Sequence, residues 1–371
     1  MAEAPKKRPL DVAAEEIREE EKIGVDKTKR LKTITKEKTK FEKYAYVTLL
    51  MRGPTDEQYK KREFNYLPGA LVTAQSIRKY QLQEKEDHPQ IVCMVTPDVG
   101  PLARALLAKL YDQVVQIDYL EIEGQLKTAA IEQIYKSWKS QSATKWRCLS
   151  LICFEKVLLV DLDKIMLKNI DELFNLEAPA GSFAVPQAEP YVLDKGTRNP
   201  SKHGIHNPYI SVDGFLKQHG ETIWSAAIDM GLHDNSFVAI GTCILLKPDL
   251  ELLEEYKTLI SDLQWNKGLN CYSMLDEQSL CLLYLLKRPK TTWTFIDTPY
   301  NFVAGKTPAY GYQWLAPSQT PFVIHYVGKQ DEKPWHVDRK KWPDLGEWWQ
   351  VAESLCRCVL EPEVYDHLFQ K

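Results

Sequence analysis

The sequence predicts an α/β protein whose central sheet is Rossmann-like and mostly parallel, with helices on both faces. Two observations lead to this prediction. Apolar runs rich in β-branched residues are typical of buried strands, and they alternate with segments of helical periodicity. That alternation implies a parallel sheet covered on both faces. Because ligands of such sheets bind beyond the carboxyl ends of the strands, the residues that follow each strand are the first candidates for a site.

The elements of the first half follow one another in the order that such a sheet requires. The first strand, 44–51, is the continuous apolar run YAYVTLLM, and the helix at 67–80 has apolar residues at helical spacing. The remaining predicted elements are the strand 91–96, which Pro97 ends, the helix 102–111, the strand 113–117, the helix 143–153 and the strand 156–160.

The second half begins with a long excursion and then returns to regular elements. Residues 189–235 are rich in Gly, Pro, Asn and His and are poorly periodic, so we predict an inserted loop near the active site. Its aromatic residues suit an acceptor site; cover for a sheet edge or a dimer contact are the alternatives. The later predicted elements are the strand 238–246, the helix 276–287, the strands 293–296 and 321–326, and a Trp-rich C-terminal helix.

Composition and charge exclude several classes of protein. The chain has 371 residues, of which 44% are hydrophobic, and its formal net charge of −3 provides no field for nucleic acid. No apolar run approaches the roughly 20 residues of a membrane span, and the eight cysteines include no C-x-x-C pair. We expect a cytoplasmic protein with no nucleic-acid or membrane partner, although Lys6–Pro9 resembles a nuclear-import signal. We expect a charged, disordered tail at 1–40 and one domain at 41–371 with a C-terminal helical extension.

Two aspartates directly follow the predicted strand 156–160. Strand alternation would place the carboxylates of Asp161 and Asp163 on the same side, where they repel unless a positive group lies between them. Hard oxygen ligands of this kind suit Mg²⁺ or Mn²⁺ shared with substrate phosphates. The alternative is that both residues cap the next segment or face solvent. The pattern therefore indicates a candidate metal site.

Two further groups of residues could complete such a site. His325 ends the strand 321–326 and could supply an imidazole ligand, and Gly328 and Lys333 behind it could contact phosphate. A strand-end histidine bonded to backbone is the alternative. Lys145 precedes a helix and would face an anion or simply solvent. Gln278 lies beside Asp276 and Glu277 at a helix start, where acidic residues either cap the helix or bind sugar hydroxyls.

Taken in order, these motifs resemble glycosyltransferase family 8, the glycogenin-like enzymes. The segment 144–174, which contains Lys145, the Asp161-Leu162-Asp163 motif and the run NIDELF, is similar to the central motif of that family. Matches extend to Tyr46–Leu49, Tyr66 and Gly69–Leu71, Asp276–Gln278, Pro299–Asn301, and the segment from His325 to Trp335. The resemblance covers about residues 44–336.

The resemblance implies a GT-A fold and transfer of a sugar from a UDP-sugar to an acceptor hydroxyl, with Mn²⁺ (or Mg²⁺) and retention at the anomeric carbon. UDP-glucose would be the first donor to consider, and a homodimer the first assembly. The implied metal ligands are Asp161, Asp163 and His325. The implied catalytic residues are Gln278 and Lys145, and the implied nucleotide contacts are Leu49, Tyr66, Lys145, Leu162, Gly328, Lys329 and Lys333.

Two departures from the family pattern leave questions open. Ile240-Gly241-Thr242 stands where the family has an asparagine that contacts the sugar, so the donor sugar is not fixed. Two extra residues separate Gly328 from Lys333, which makes Lys329 a second candidate for the phosphate. The alternative functions are a nucleotide-sugar hydrolase and a catalytically degenerate binding module.

Overall fold

The computed structural model describes residues 43–81, 88–121, 139–184, 238–261, 298–303, 320–341 and 345–369, with scattered positions between 276 and 296. The predicted tail at 1–40, the excursion at 189–235 and Gln278 lie outside the described residues. Within the described ranges, no helix is long and apolar enough to cross a membrane.

Ten strands are assigned in the described part of the chain. They are β1 Tyr44–Leu50, β2 Gln90–Val95, β3 Gln113–Gln116, β4 Lys156–Val160, β5 Lys164–Met166, β6 Ala180–Ala184, β7 Val238–Leu246, β8 Thr294–Phe295, β9 Phe302–Val303 and β10 Val323–His325. Seven of them form one sheet in the order β3-β2-β1-β4-β7-β6-β8, and the other three form a small sheet in the order β5-β10-β9.

The helices assigned in the described residues are α1 Asp56–Lys60, α2 Leu67–Tyr80, α3 Pro101–Ala108, α4 Leu250–Ser261, α5 Leu345–Cys358 and α6 Pro362–Phe369. Of these, α2, α3 and the Trp-rich α5 correspond to predicted helices, and α6 lies in the predicted C-terminal helical extension. Helices α1 and α4 were not predicted, and most of the helix predicted at 276–287 lies outside the described residues. In the described ranges, 3₁₀ segments cover Lys139–Ser150, Asp171–Asn175, Thr298–Asn301 and Gln330–Glu332. The helix predicted at 143–153 is therefore wrong in type, because the chain there forms consecutive 3₁₀ turns.

The mostly parallel, Rossmann-like half of the sheet is confirmed. Strands β3, β2, β1 and β4 run parallel to one another. Strand β7 then runs antiparallel to both β4 and β6. The predicted strand 321–326 does not join this sheet, because β10 pairs antiparallel with β5, directly after the Asp161-Leu162-Asp163 motif. The small sheet thus brings a distant segment to the end of β4.

Helices cover both faces of the large sheet, as predicted. Successive side chains of a strand point to opposite faces, so Tyr46 and Leu50 of β1 join one apolar core and Ala45 and Val47 join the other. The first core includes residues of α2, α3, α5 and α6. The second includes residues of α4 and of the 3₁₀ segment 139–150. The fold class is therefore α/β with a sheet between two helical layers.

Helix α2 fixes the link between β4 and β5. A Cβ atom on Gly69 would lie 2.4 Å from the backbone oxygen of Leu162 and 2.8 Å from the Trp335 ring, so only glycine allows this approach. One turn later, the Thr73 hydroxyl donates toward the carbonyl oxygens of Leu162 and Lys164, at 3.1 and 2.7 Å. The backbone of the Asp161–Asp163 motif is thereby held against the helix.

Candidate functional site

The structure brings together the three residues that the sequence predicts as metal ligands. Asp161 follows β4, Asp163 precedes β5 and His325 ends β10, which is paired with β5. One ligand atom from each residue can be chosen so that all three atoms lie within 4.8 Å of one another. The backbone N–H of Tyr326 donates to the carbonyl oxygen of Asp163 at 2.9 Å, which fixes the two segments in register.

Buried polar atoms in this cluster fit a metal ion. Asp163 Oδ1 and His325 Nδ1 are buried and have no hydrogen-bond partner in the structure. His325 Nε2 lies 3.4 Å from Asp163 Oδ1. Because leaving such groups without a partner is costly, these two atoms are good candidates for metal coordination. Two carboxylates and an imidazole are a donor set that suits Mn²⁺.

The protonation states of the cluster also suit a cation. Burial would raise the pKa of Asp163, but the ammonium of Lys333 and the imidazole of His325 outweigh it, so the pKa lies well below its ordinary value. Burial lowers the pKa of His325, and the Asp163 carboxylate only partly opposes this. Desolvation raises the pKa of Asp161, while Lys145 acts against that shift. At neutral pH, Asp163 is therefore ionised and the imidazole of His325 is neutral, and these are the forms in which the two side chains bind a metal ion.

Lys333 belongs to the same cluster but is turned toward protein oxygens. Its ammonium nitrogen lies 2.6 Å from Asp163 Oδ2 and 3.0 Å from the carbonyl oxygen of Tyr326. The residue is only 3% exposed. Its nitrogen is 5.7 Å from the centroid of the Tyr66 ring, which packs edge-on against Trp335. Lys333 is therefore the counter-ion of Asp163 in this structure.

Lys145 is paired with a carboxylate that the sequence interpretation treated as a helix cap or a sugar contact. Its ammonium nitrogen lies 2.6 Å from Asp276 Oδ2, and the Asp276 side chain is 3% exposed. The indole N–H of the neighbouring Trp146 donates to the carbonyl oxygen of Asp276 at 3.0 Å. Asp276 thus holds Lys145 at the cluster, close enough for Lys145 to affect the pKa of Asp161. In the sequence, the only indication that Asp276 belongs to the site was its position two residues before Gln278.

The cluster contains a third lysine, Lys164, which was not predicted from the sequence. It is fully buried, and its ammonium nitrogen donates to Asn301 Oδ1 at 2.6 Å. Burial lowers the pKa of Lys164, and the carboxylates of Asp161 and Asp163 partly counter this. The only signal in the sequence was a charged residue directly after the two aspartates, inside a short apolar strand.

The remaining predicted nucleotide contacts surround the cluster unevenly. Tyr66 immediately precedes α2, and burial raises its pKa to about 12. The Leu162 side chain lies in the first apolar core, while Leu49 is partly buried and packs against the second. Gly328 has a φ of 145°, and Lys329 behind it is exposed. The role of each of these residues toward a nucleotide stays a prediction.

Comparisons with known proteins agree with this picture. The chain is 28% identical to the uncharacterized protein R707 of Acanthamoeba polyphaga mimivirus over 296 residues, which is 79% of this chain and 83% of the viral one. It is 31% identical to human glycogenin-2 over 110 residues, or 30% of this chain and 20% of glycogenin-2. The match thus spans about a fifth of that relative. No protein-family model matches the chain.

A solved structure supports the fold. The apo structure of the bifunctional glycosyltransferase WbbM superimposes with a TM-score of 0.50 at 16% identity, covering 89% of this chain and 53% of WbbM. At this identity the likeness concerns the fold alone. Together with the glycogenin match, it confirms the resemblance to glycogenin-like glycosyltransferases and the GT-A fold that the sequence predicts.

Proposed function

We propose, from the glycogenin-like GT-A fold, that the protein is a metal-dependent glycosyltransferase. It moves a sugar from a UDP-sugar to an acceptor hydroxyl, with retention at the anomeric carbon. The observation that carries the proposal is the cluster of Asp161, Asp163 and His325 at the carboxyl end of β4, where ligands of such sheets bind. UDP-glucose is the first donor to test.

The charges of the cluster match a divalent cation with a diphosphate. Among the described residues of the cluster, carboxylates and ammonium groups are equal in number, so their formal charges cancel. They are Asp161, Asp163 and Asp276 on one side and Lys145, Lys164 and Lys333 on the other. A divalent cation would give this site an excess of two positive charges, which a nucleoside diphosphate complements.

The residues of the chain would divide the work as follows. Asp161, Asp163 and His325 would hold a divalent cation, which when bound stabilises the negative charge of the departing UDP. Lys145, held in place by Asp276, would add a fixed positive charge near the donor. Gly328, whose φ of 145° favours glycine, stays a proposed contact of the diphosphate; the Glu332 carboxylate lies beside it and accepts from the backbone N–H of Lys329 at 3.1 Å. Gln278 stays a proposal as the residue beside the transferred sugar.

UDP release is the assay that tests this function. We expect release from UDP-glucose or another UDP-sugar that needs Mn²⁺ and rises when candidate acceptor sugars are added. Release should be small with EDTA and should be lost in the Asp163→Asn variant, with cooperative melting retained. Release that is equal with Mn²⁺ and EDTA would contradict metal dependence. Acceptor-independent release would indicate a hydrolase, and binding of UDP-sugars without release would indicate a binding module.

A further inference from the structure

Lys333 and a metal ion would compete for the same carboxylate. Asp163 Oδ2 accepts the short bond from Lys333, while Oδ1 lies 3.4 Å from His325 Nε2 and has no hydrogen-bond partner. A cation that takes both oxygens of Asp163 cannot share Oδ2 with an ammonium group, because the two positive charges would lie in direct contact. A cation held through Oδ1 alone would leave Lys333 in place, whereas one that also takes Oδ2 requires Lys333 to move.

We propose that Lys333 is a switch residue: its ammonium is held by Asp163 until a divalent cation takes that carboxylate, and it then turns to the diphosphate of the donor. The proposal rests on the proposed function, since it needs a cation and a diphosphate at one site. It adds a coupling between the two ligands that passes through one side chain.

The geometry makes this movement short. Asp163 Oδ2 is 2.6 Å from the Lys333 nitrogen, so the ammonium already lies beside any cation held by Asp163 and His325. Phosphate oxygens that bind such a cation lie about 2 Å from it. Rotation about the flexible side chain of Lys333 is enough to exchange a carboxylate oxygen for a phosphate oxygen.

The backbone of Lys333 is fixed, which confines the change to its side chain. Its N–H donates to the carbonyl oxygen of Gln330 at 3.3 Å, and its own carbonyl oxygen accepts from the N–H of His336 at 2.8 Å. Trp335 follows and packs against Tyr66 and Trp348. The ammonium of Lys333 lies near the Asp163 carboxylate, the carbonyl oxygen of Tyr326 at 3.0 Å and the Tyr66 ring at 5.7 Å, and the first of these is the partner that a cation would take over.

The test compares UDP binding with Mn²⁺ and with EDTA, by calorimetry, in the full chain. If Lys333 is held by Asp163 without a cation, Lys333→Met changes UDP affinity little in EDTA and lowers it about tenfold with Mn²⁺. Uridine, which has no phosphate, should bind the variant and the wild type equally in both conditions. Lys145→Met is the matched control, because Lys145 is bonded to Asp276 rather than Asp163. Its loss should weaken UDP binding to the same extent in both conditions.

Equal losses in EDTA and Mn²⁺ for Lys333→Met would overturn the proposal, because the lysine would then contact phosphate whether or not a cation is bound. No loss in either condition would overturn it too, because Lys333 would then be a permanent partner of Asp163. If Lys333→Met does not melt cooperatively, Lys333→Arg replaces it in the test. Arginine keeps the positive charge, so UDP affinity should still depend on Mn²⁺. Loss of that dependence would count against the switch. If the wild type binds UDP with equal affinity in Mn²⁺ and in EDTA, the proposed function itself is contradicted.

Discussion

Replacing Gly69 by alanine should destabilise the protein and damage the site at once. The added Cβ would lie 2.4 Å from the Leu162 backbone oxygen and 2.8 Å from the Trp335 ring. Neither neighbour can yield easily, because one is backbone between the two aspartates and the other is a buried indole. Overpacking of this kind costs about 1–3 kcal/mol, and alanine returns up to about 1 kcal/mol of helix propensity. Because a contact of 2.4 Å belongs at the upper end of that range, we expect a net loss of about 2 kcal/mol. At about 2.1 cal/mol/K of unfolding entropy per residue, this lowers the melting temperature by about 3 °C.

The same change should reduce activity beyond its effect on stability. If helix α2 and Leu162 move apart, Asp161 and Asp163 move with the backbone of Leu162. A displacement of about 1 Å at a reacting centre can cost roughly a hundredfold in rate, so we expect Mn²⁺-dependent UDP release to fall at least tenfold. The assays are thermal unfolding and UDP release at a temperature where the variant is folded.

Gly346→Ala is the matched control for this prediction. Gly346 is the second residue of α5, and a Cβ there would meet no atom within 4 Å. Alanine should therefore be neutral or raise stability by up to about 1 kcal/mol, with UDP release unchanged. If Gly69→Ala melts like Gly346→Ala and releases UDP at the wild-type rate, the close contact between α2 and the metal site does not exist in solution.

Three further predictions concern the charges and the ends of the site. Asp276→Asn should lower stability by about 2 kcal/mol and UDP release about tenfold, because it leaves the ammonium of Lys145 without its buried partner; unfolding and release assays measure both. The pKa of His325 in the folded protein lies below its ordinary value of 6.5, so at a pH just below 6.5 the unfolded chain binds a proton that the folded chain does not. Stability should therefore rise with pH through the window just below 6.5, and urea unfolding at several pH values should show less of this rise in His325→Gln. Removal of residues 1–40 should leave UDP release unchanged, since that segment lacks the apolar content to join a core.

Each of these predictions has an outcome that would count against it. Glu353→Gln, which breaks the half-exposed pair with Arg339, is the comparison for Asp276→Asn, and equal effects would show that the buried pair has no special role. A stability that is flat with pH, or that falls as pH rises toward 6.5, would contradict the lowered pKa of His325. A large loss of UDP release in a chain that starts at Phe41 would show that the tail contributes to the site.

The sequence predicted those parts of the fold that depend on local apolar pattern. Helix α2 and strands β4 and β7 have the predicted bounds, because each is one apolar or periodic run between polar residues. Strand direction carries no such signal, so the antiparallel β7 could not be inferred. Strand β5 was missed because three residues are too few for a period, and it forms only by pairing with β10.

In the candidate site as well, local sequence pattern predicted some features, and others depend on tertiary packing. Asp161 and Asp163 were predicted as ligands because they follow a buried strand, and His325 was added because it ends a strand and because the family resemblance implies the set of three. The structure brings His325 to the aspartates through the small sheet rather than through the parallel one. The pairing of Lys333 with Asp163 and of Lys145 with Asp276 was not predicted. Such pairs depend on which distant segments are packed together, and no local rule specifies that choice.

The wide separation of Asp163 from Lys333 has a consequence for synthesis. The two residues are 170 positions apart in the chain. At about 5–20 residues per second, a ribosome takes roughly ten to thirty seconds to add the lysine after the aspartate. During that interval the nascent chain carries Asp161 and Asp163 side by side without His325 or Lys333, so the ability to bind a donor is acquired late in translation.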